Sequence, residues 1–202
     1  CTSLISAKIP LATSIGVYAF YKCNVLAEAS FPLVTSIETY TFNECNSLTS
    51  VNFPLATSVG SYAFYNCEKL SSISIPLVTS IGESAFSYCK LLGSADFPLV
   101  KSIGVQAFNK CTALTSASFP LATNIEPYTF YECNNLSSVH IPLATSIGDY
   151  AFSNCFSLIS ANFPLVNSIG SHSFINGVAL TSANFPLVTS VGTAAFYNCQ
   201  KL

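Results

Sequence analysis

The chain has 202 residues, 50% of them apolar and 8% charged, with a formal net charge of −2. All seven basic residues are lysines scattered along the chain, so the positive face and the arginine forks that nucleic-acid binding relies on are missing and no nucleic-acid partner is expected. The apolar residues recur at intervals, and no run approaches the roughly 18 that span a bilayer, so no membrane insertion is expected either.

Periodicity settles the architecture. Starting at Pro10 and Pro32, a proline recurs every 22 residues up to Pro186, with Pro127 alone off the grid. Phe20, Phe42 and Phe64 open a second column with the same spacing that runs to Phe196. The stretch from Phe53 to Leu70 is repeated in 14 of its 18 letters from Phe185 to Leu202. No insertion or deletion interrupts the count. Fixed self-similarity of this length marks a stacked repeat array, in which each coil contacts only its neighbours. The expected domain is one solenoid over residues 1–202 with about nine repeats. It begins inside one repeat and ends inside another without a capping sequence, so it reads as a fragment. Bare ends expose pairing edges and invite end-to-end self-association.

Within a coil, taken in chain order from Leu48, the apolar set Leu48, Val51 and Phe53 alternates with polar Ser50 and Asn52. Such alternation places Val51 and Phe53 inward on a short strand and the polar pair outward. Pro54 has no N–H and ends the ladder. Leu55 and Val59 then turn inward, Gly60 sits in a turn, and Tyr62–Ala63–Phe64 is expected to form a short helical or 3₁₀ turn that seats Phe64. Stacked in register, parallel coils bury a continuous core. The two inward strand positions compensate in volume: Ala precedes Phe in five coils, whereas Ile73 precedes Ile75 and Val139 precedes Ile141.

Nine cysteines fall on the same ruler, from Cys1 and Cys23 to Cys155 and Cys199, with Gly177 in the one vacant place. They form either a ladder of buried small hydrophobes or staples between neighbouring coils. In-register Cβ atoms about 4.8 Å apart are wider than a disulfide prefers, which favours the ladder. There is no C-x-x-C, and neither histidine falls on a ligand spacing, so no metal and no cofactor is expected.

The motif Leu48-x-x-Val51-x-Phe53-Pro54, then Thr57-Ser58-Val59-Gly60, then Ala63-Phe64-x-x-Cys67 resembles the BspA-type, or Treponema pallidum-type, leucine-rich repeat. The resemblance covers all nine repeats. It implies a leucine-rich-repeat solenoid with a parallel sheet on its concave face and short turns elsewhere. It also implies an extracellular or cell-surface location and a link to adhesion, and it supplies no catalytic residues. Glu38 and Glu126 depart from the pattern by standing where glycine is usual. Repeat eight departs by carrying Ser173, Ile175 and Gly177.

Specificity can be written only where the copies differ. The outward strand column reads Lys8, Ser30, Asn52, Ser74, Asp96, Ser118, His140, Asn162 and Asn184, and its neighbour holds Glu28. Lys8, Glu28, Asn52, Asp96, His140, Asn162 and Asn184 are the candidate contacts for a protein or glycan partner; otherwise the column is a solvated face. A tyrosine ledge made of Tyr18, Tyr40 and Tyr62, and again of Tyr128 and Tyr150, stands beside Tyr21, Tyr65 and Tyr131. Such rings stack sugars or pack coil on coil, with interruptions expected at Ser84, Gln106, His172 and Ala194. Lys22 with Glu44, and Lys110 with Glu132, are placed to pair one coil apart. The two histidines lie in different columns and the acids are spread singly, so no enzyme is expected. The remaining readings are a recognition or adhesion module, a structural spacer or filament segment, and an ice-binding threonine column that Lys101 and Asn167 interrupt.

Overall fold

The computed structural model describes residues 1–202 and shows a parallel β-solenoid whose coils are 22 residues apart. Nine three-residue strands, from Ser6–Lys8 to Ser182–Asn184, line one face. Eight two-residue strands, from Ser36–Ile37 to Ser190–Val191, line another. Every pairing is parallel and in register, so Ala7 lies beside Ala29 and Val51 beside Ile73. No helix of the protein is long and apolar enough to cross a membrane.

The expected helical turn does not form: the segment around Tyr62–Ala63–Phe64 is a run of turns. Each coil carries two left-handed residues there, such as Tyr62 at φ 57° and Asn66 at φ 57°, and a right-handed helix cannot continue through them. Alternate N–H groups point instead along the solenoid. Tyr62, Phe64 and Asn66 donate to Glu83, Ala85 and Ser87 of the next coil, each at 2.8 Å. Stacking satisfies these groups, while the intervening N–H groups of Ala63, Tyr65 and Cys67 close turns on Gly60 O, Tyr62 O and Phe64 O at 3.3, 3.2 and 3.2 Å.

One cluster of 55 buried apolar residues forms the core. The rings from Phe20 to Phe196 stack in an unbroken column, with centroids 5.1 Å apart at Phe20–Phe42 and 5.8 Å at Phe108–Phe130. A second phenylalanine column after the strands runs in pieces, Phe31–Phe53, Phe97–Phe119 and Phe163–Phe185. Ile75 and Ile141 interrupt it.

Those two interruptions coincide with breaks in the strand face. Its sheet divides between Ser72–Ser74 and Ser94–Asp96, and again between Ser138–His140 and Ser160–Asn162. Phe53 N–H donates to Ser74 O at 2.8 Å and Phe97 N–H to Ser118 O at 3.0 Å, whereas Ile75 and Ile141 make no such bond. The cause is volume. Ile73 and Val139 are only half-buried, while Ala95 and Ala161 in the next coils are buried. A branched side chain in the small-residue column pushes the strand outward, and an isoleucine in the phenylalanine column supports it less. Either change alone is tolerated: Ile9 N–H still donates to Ser30 O at 3.2 Å, and Val51–Phe53 pairs on both sides.

The second face breaks once, between Ser102–Ile103 and Asn124–Ile125, and the cause is Glu126. A Cβ added at Gly82 meets Ser61 N at 2.5 Å and Gly60 C at 2.8 Å, both backbone atoms of the preceding coil. Gly82 and Gly148 donate across this contact to Val59 O and Ile125 O, and Glu126 makes no counterpart bond. Glu38 likewise makes no bond to the first coil, which has no two-residue strand of its own.

Candidate functional site

The outward strand column lies on the solenoid surface, and all seven candidate side chains, Lys8, Glu28, Asn52, Asp96, His140, Asn162 and Asn184, are exposed. The breaks divide them into three groups. Lys8, Glu28 and Asn52 share the first sheet, Asp96 and His140 the second, and Asn162 and Asn184 the third. Within the first, Lys8 Nζ pairs with Glu28 Oε2 at 2.7 Å, and Asn52 Nδ2 donates to Ser30 Oγ at 3.3 Å. Within the third, Asn184 Nδ2 donates to Asn162 Oδ1 at 2.8 Å. These contacts fix register between coils. Asp96 and His140 make no side-chain hydrogen bond or ion pair with the rest of the protein, which leaves them available to a partner.

Asp96 also stands at a cleft. The gap after Ser72–Ser74 opens a volume of about 350 Å³ lined by Ile73, Ser74, Ile75, Ser94, Asp96 and Phe97, among others. The N–H groups of Ile75 and Gly93 have no backbone acceptor there, although their equivalents Phe53 and Ser71 do. The backbone of Ile75, a carboxylate and a half-buried isoleucine thus line one depression. Sequence reading named Asp96 but missed the cleft; its only signal was the medium-sized pair Ile73 and Ile75.

The tyrosine ledge packs coil on coil. Tyr18, Tyr40 and Tyr62 stack with centroids 4.9 Å apart, and Tyr128 stacks on Tyr150 at 4.9 Å. His172 does not interrupt the second run; its ring continues the stack on Tyr150 at 4.7 Å and 5°, because a flat imidazole replaces a phenol face to face. The side column meets the first edge-on, as with Tyr18 and Tyr21 at 5.5 Å and 82°.

Solved structures with this arrangement are leucine-rich-repeat proteins. A leucine-rich-repeat protein of T. pallidum is 27% identical, with a TM-score of 0.72 over 77% of this chain and 78% of that one. One from Eubacterium ventriosum is 17% identical, with a TM-score of 0.67 over 96% and 82%. A leucine-rich cell surface protein of Faecalibacterium prausnitzii is 23% identical, with a TM-score of 0.56 over 98% and 74%. A search of curated proteins finds no match. The family model of the BspA type leucine rich repeat region matches residues 13–122 and 79–202. The chain belongs to this family.

In this BspA-type array the cysteine column is a ladder of free thiols. Cys23 through Cys155 are buried, Cys199 is half-buried and Cys1 is exposed. From Cys45 onward each Sγ donates to the carbonyl of the core phenylalanine in the preceding coil, at 3.0 Å for Cys45 to Phe20 and 3.3 Å for Cys89 to Phe64. Burial pushes the Cys45 thiol up to about 12, and burial likewise holds Cys67, Cys89 and Cys133 well above the ordinary thiol range. Such thiols are poor nucleophiles. The predicted pairs Lys22–Glu44 and Lys110–Glu132 stand at 3.7 and 3.8 Å, and Lys90–Glu68, which the sequence reading did not name, at 2.8 Å. No group of three or more His, Cys, Asp or Glu side chains is arranged to hold a metal ion. The threonine hydroxyls are engaged: Thr79 Oγ1 donates to Thr57 O at 3.1 Å, and Thr57 Oγ1 to Thr35 O at 3.2 Å. In repeat eight, Phe174 keeps its stack at 5.2 Å on both sides, while Ser173 Oγ is buried without a partner.

Proposed function

We propose that this BspA-type array is a non-enzymatic recognition module, secreted or on the cell surface, that binds a protein or glycan through its strand face and serves adhesion. The observation that carries this reading is the meeting of two independent features at Asp96. It is an unpaired charge in the column that varies between repeats, and it lines the cleft opened by the sheet break. A depression walled by Ile73, Ile75 and Phe97 with Asp96 beside them combines an apolar centre with polar groups at its edge, as protein interfaces do. The cell-surface description of the Faecalibacterium neighbour agrees with the location.

The test uses a panel of extracellular glycoproteins, matrix proteins and glycans, probed with the wild-type protein and with Asp96→Lys and His140→Glu. Saturable binding that falls at least tenfold in Asp96→Lys at unchanged thermal stability supports the reading; tenfold corresponds to about 1.4 kcal/mol. Binding that ignores both substitutions overturns the assignment to this face. No binding at all by well-folded protein favours a spacer, a role that the unbroken phenylalanine column suits through stiffness.

A further inference from the structure

A second depression of about 350 Å³ lies on the tyrosine ledge, away from the strand face, lined by Tyr18, Tyr21, Tyr40, Tyr62, Tyr65, Asn43 and Glu44. Its origin is legible in one column. Positions 21, 43 and 65 read Tyr, Asn, Tyr, and Asn43 is the one non-aromatic position of that column with tyrosine in both neighbouring coils. A ring is missing between two rings. Two coil steps span about 10 Å, and a six-membered ring in van der Waals contact with a side chain on either hand takes about 7–8 Å. We propose that this notch binds a saccharide ring.

Chemistry selects the ligand class. The wall is aromatic, and the rings of Tyr18, Tyr40 and Tyr62 are held rigid by stacking at 4.9 Å. Stacked face to face, these three rings turn their edges to the notch and form a wall that is ordered at little entropic cost. These tyrosines also sit in the left-handed region, at φ 61°, 58° and 57°. That backbone disfavours a bulky residue, so keeping tyrosine there requires a compensating gain from ring contacts. The floor supplies acceptors. Asn43 Nδ2 donates to Tyr62 O at 3.4 Å, which leaves Oδ1 without a donor from the protein. Glu44 Oε1 stands 3.7 Å from Lys22 Nζ, outside hydrogen-bond range. A proline-rich segment also suits an aromatic groove, yet it has carbonyls to offer and few N–H donors. A saccharide brings C–H groups for the flanking rings of Tyr21 and Tyr65 and hydroxyl donors for Asn43 Oδ1 and the Glu44 carboxylate. The acceptor-rich floor therefore favours the sugar.

The chain contains ten tyrosines and no tryptophan, and five of those tyrosines line the notch, so intrinsic tyrosine emission reports it directly. The probes are the methyl glycosides of glucose, galactose and mannose, together with diacetylchitobiose, titrated into the full chain in the millimolar range with decaproline in parallel. At least one sugar is expected to change the emission saturably. Asn43→Tyr, which restores the missing ring, is expected to weaken that response at least tenfold while melting like the wild type, since tyrosine already occupies this column at positions 21 and 65. Asn43→Ala keeps the space, removes Oδ1 and is expected to weaken it too, which keeps the test decisive if Asn43→Tyr misfolds. Asp96→Lys is expected to leave it unchanged, which separates this site from the strand face. Silence from all four sugars, a response in both Asn43 variants equal to that of the wild type, or a response to decaproline alone overturns the proposal.

Discussion

Gly82→Ala tests the argument about how closely the coils approach on their second face. The added Cβ lands 2.5 Å from Ser61 N and 2.8 Å from Gly60 C. Backbone atoms cannot swing aside, so relieving the contact to 3.0 Å means parting the coils by about 0.5 Å, and reaching ordinary van der Waals distance needs still more. Two ladder bonds cross there, Gly82 N–H to Val59 O and Thr79 N–H to Thr57 O, each at 2.8 Å. Both are carried beyond good hydrogen-bond length. At about 1 kcal/mol per bond and about 1–2 kcal/mol for residual overpacking, the substitution is expected to destabilise by about 3 kcal/mol. In a chain of this size that corresponds to a fall in Tm of roughly 6–12 °C. Gly16 supplies the control, because a Cβ there meets nothing within 4 Å, and Gly16→Ala is expected to stay within about 0.5 kcal/mol of the wild type. Urea denaturation gives the global value. Hydrogen exchange at the amides of Gly82 and Thr79 gives the local one, since a repeat array can open in parts. A Gly82→Ala protein as stable as Gly16→Ala, with both amides still protected, would falsify the steric account of the glycine column and of the seam at Glu126.

Glu126→Gly is the converse change and is expected to close that seam, protecting the amide at position 126 and raising stability by about 1–2 kcal/mol; an amide still exchanging freely counts against it. The double substitution Ile73→Ala with Ile75→Phe restores the small-and-large pair, and hydrogen exchange should then show residue 75 bonded to Asp96 O, with the cleft lost. If the amide stays unprotected, side-chain volume is not what breaks the sheet. The buried thiols make stability depend on alkaline pH. Their folded values lie above the ordinary value of 9.0, with Cys45 at about 12, so above about pH 9 the unfolded chain releases protons that the folded chain keeps. Their contribution is complete below that point and falls as pH rises, by up to about 1.4 kcal/mol per pH unit for each thiol. The urea midpoint should be flat from about pH 6 to 8 and decline steeply above about 9, and less steeply in Cys89→Ala. An unchanged midpoint at about pH 11 would contradict their burial as neutral groups.

Much of this molecule is legible in its letters because the repeat multiplies each signal. The phenylalanine column from Phe20 to Phe196, the inward Val51 and Phe53, the buried cysteine ladder and the pairs Lys22–Glu44 and Lys110–Glu132 all follow from spacing alone. A pattern copied nine times leaves little ambiguity about which face is inside. The turn around Tyr62 reads as helical or 3₁₀ in the sequence, because local spacing cannot show that alternate N–H groups are taken up by the next coil. His172 was misread as a gap because the stacking ability of an imidazole depends on the Tyr150 ring beneath it. The exposure of Asp96 was readable, and its position at a cleft was not.

The sequence by itself therefore determined the period, most of the inward set and the columns in which the copies differ, since these depend on one residue's place in one coil; Leu55, expected to turn inward, is exposed, and Ala56 is buried in its place. Tertiary structure alone decided where the ladders part. Whether Ser72–Ser74 pairs with Ser94–Asp96, or Ile103 with Ile125, depends on the summed volumes of side chains in two coils and on a backbone contact that admits no Cβ. The cleft at Asp96 and the notch at Asn43 arise in the same way, from what one coil lacks relative to its neighbours, and only stacking brings those neighbours together.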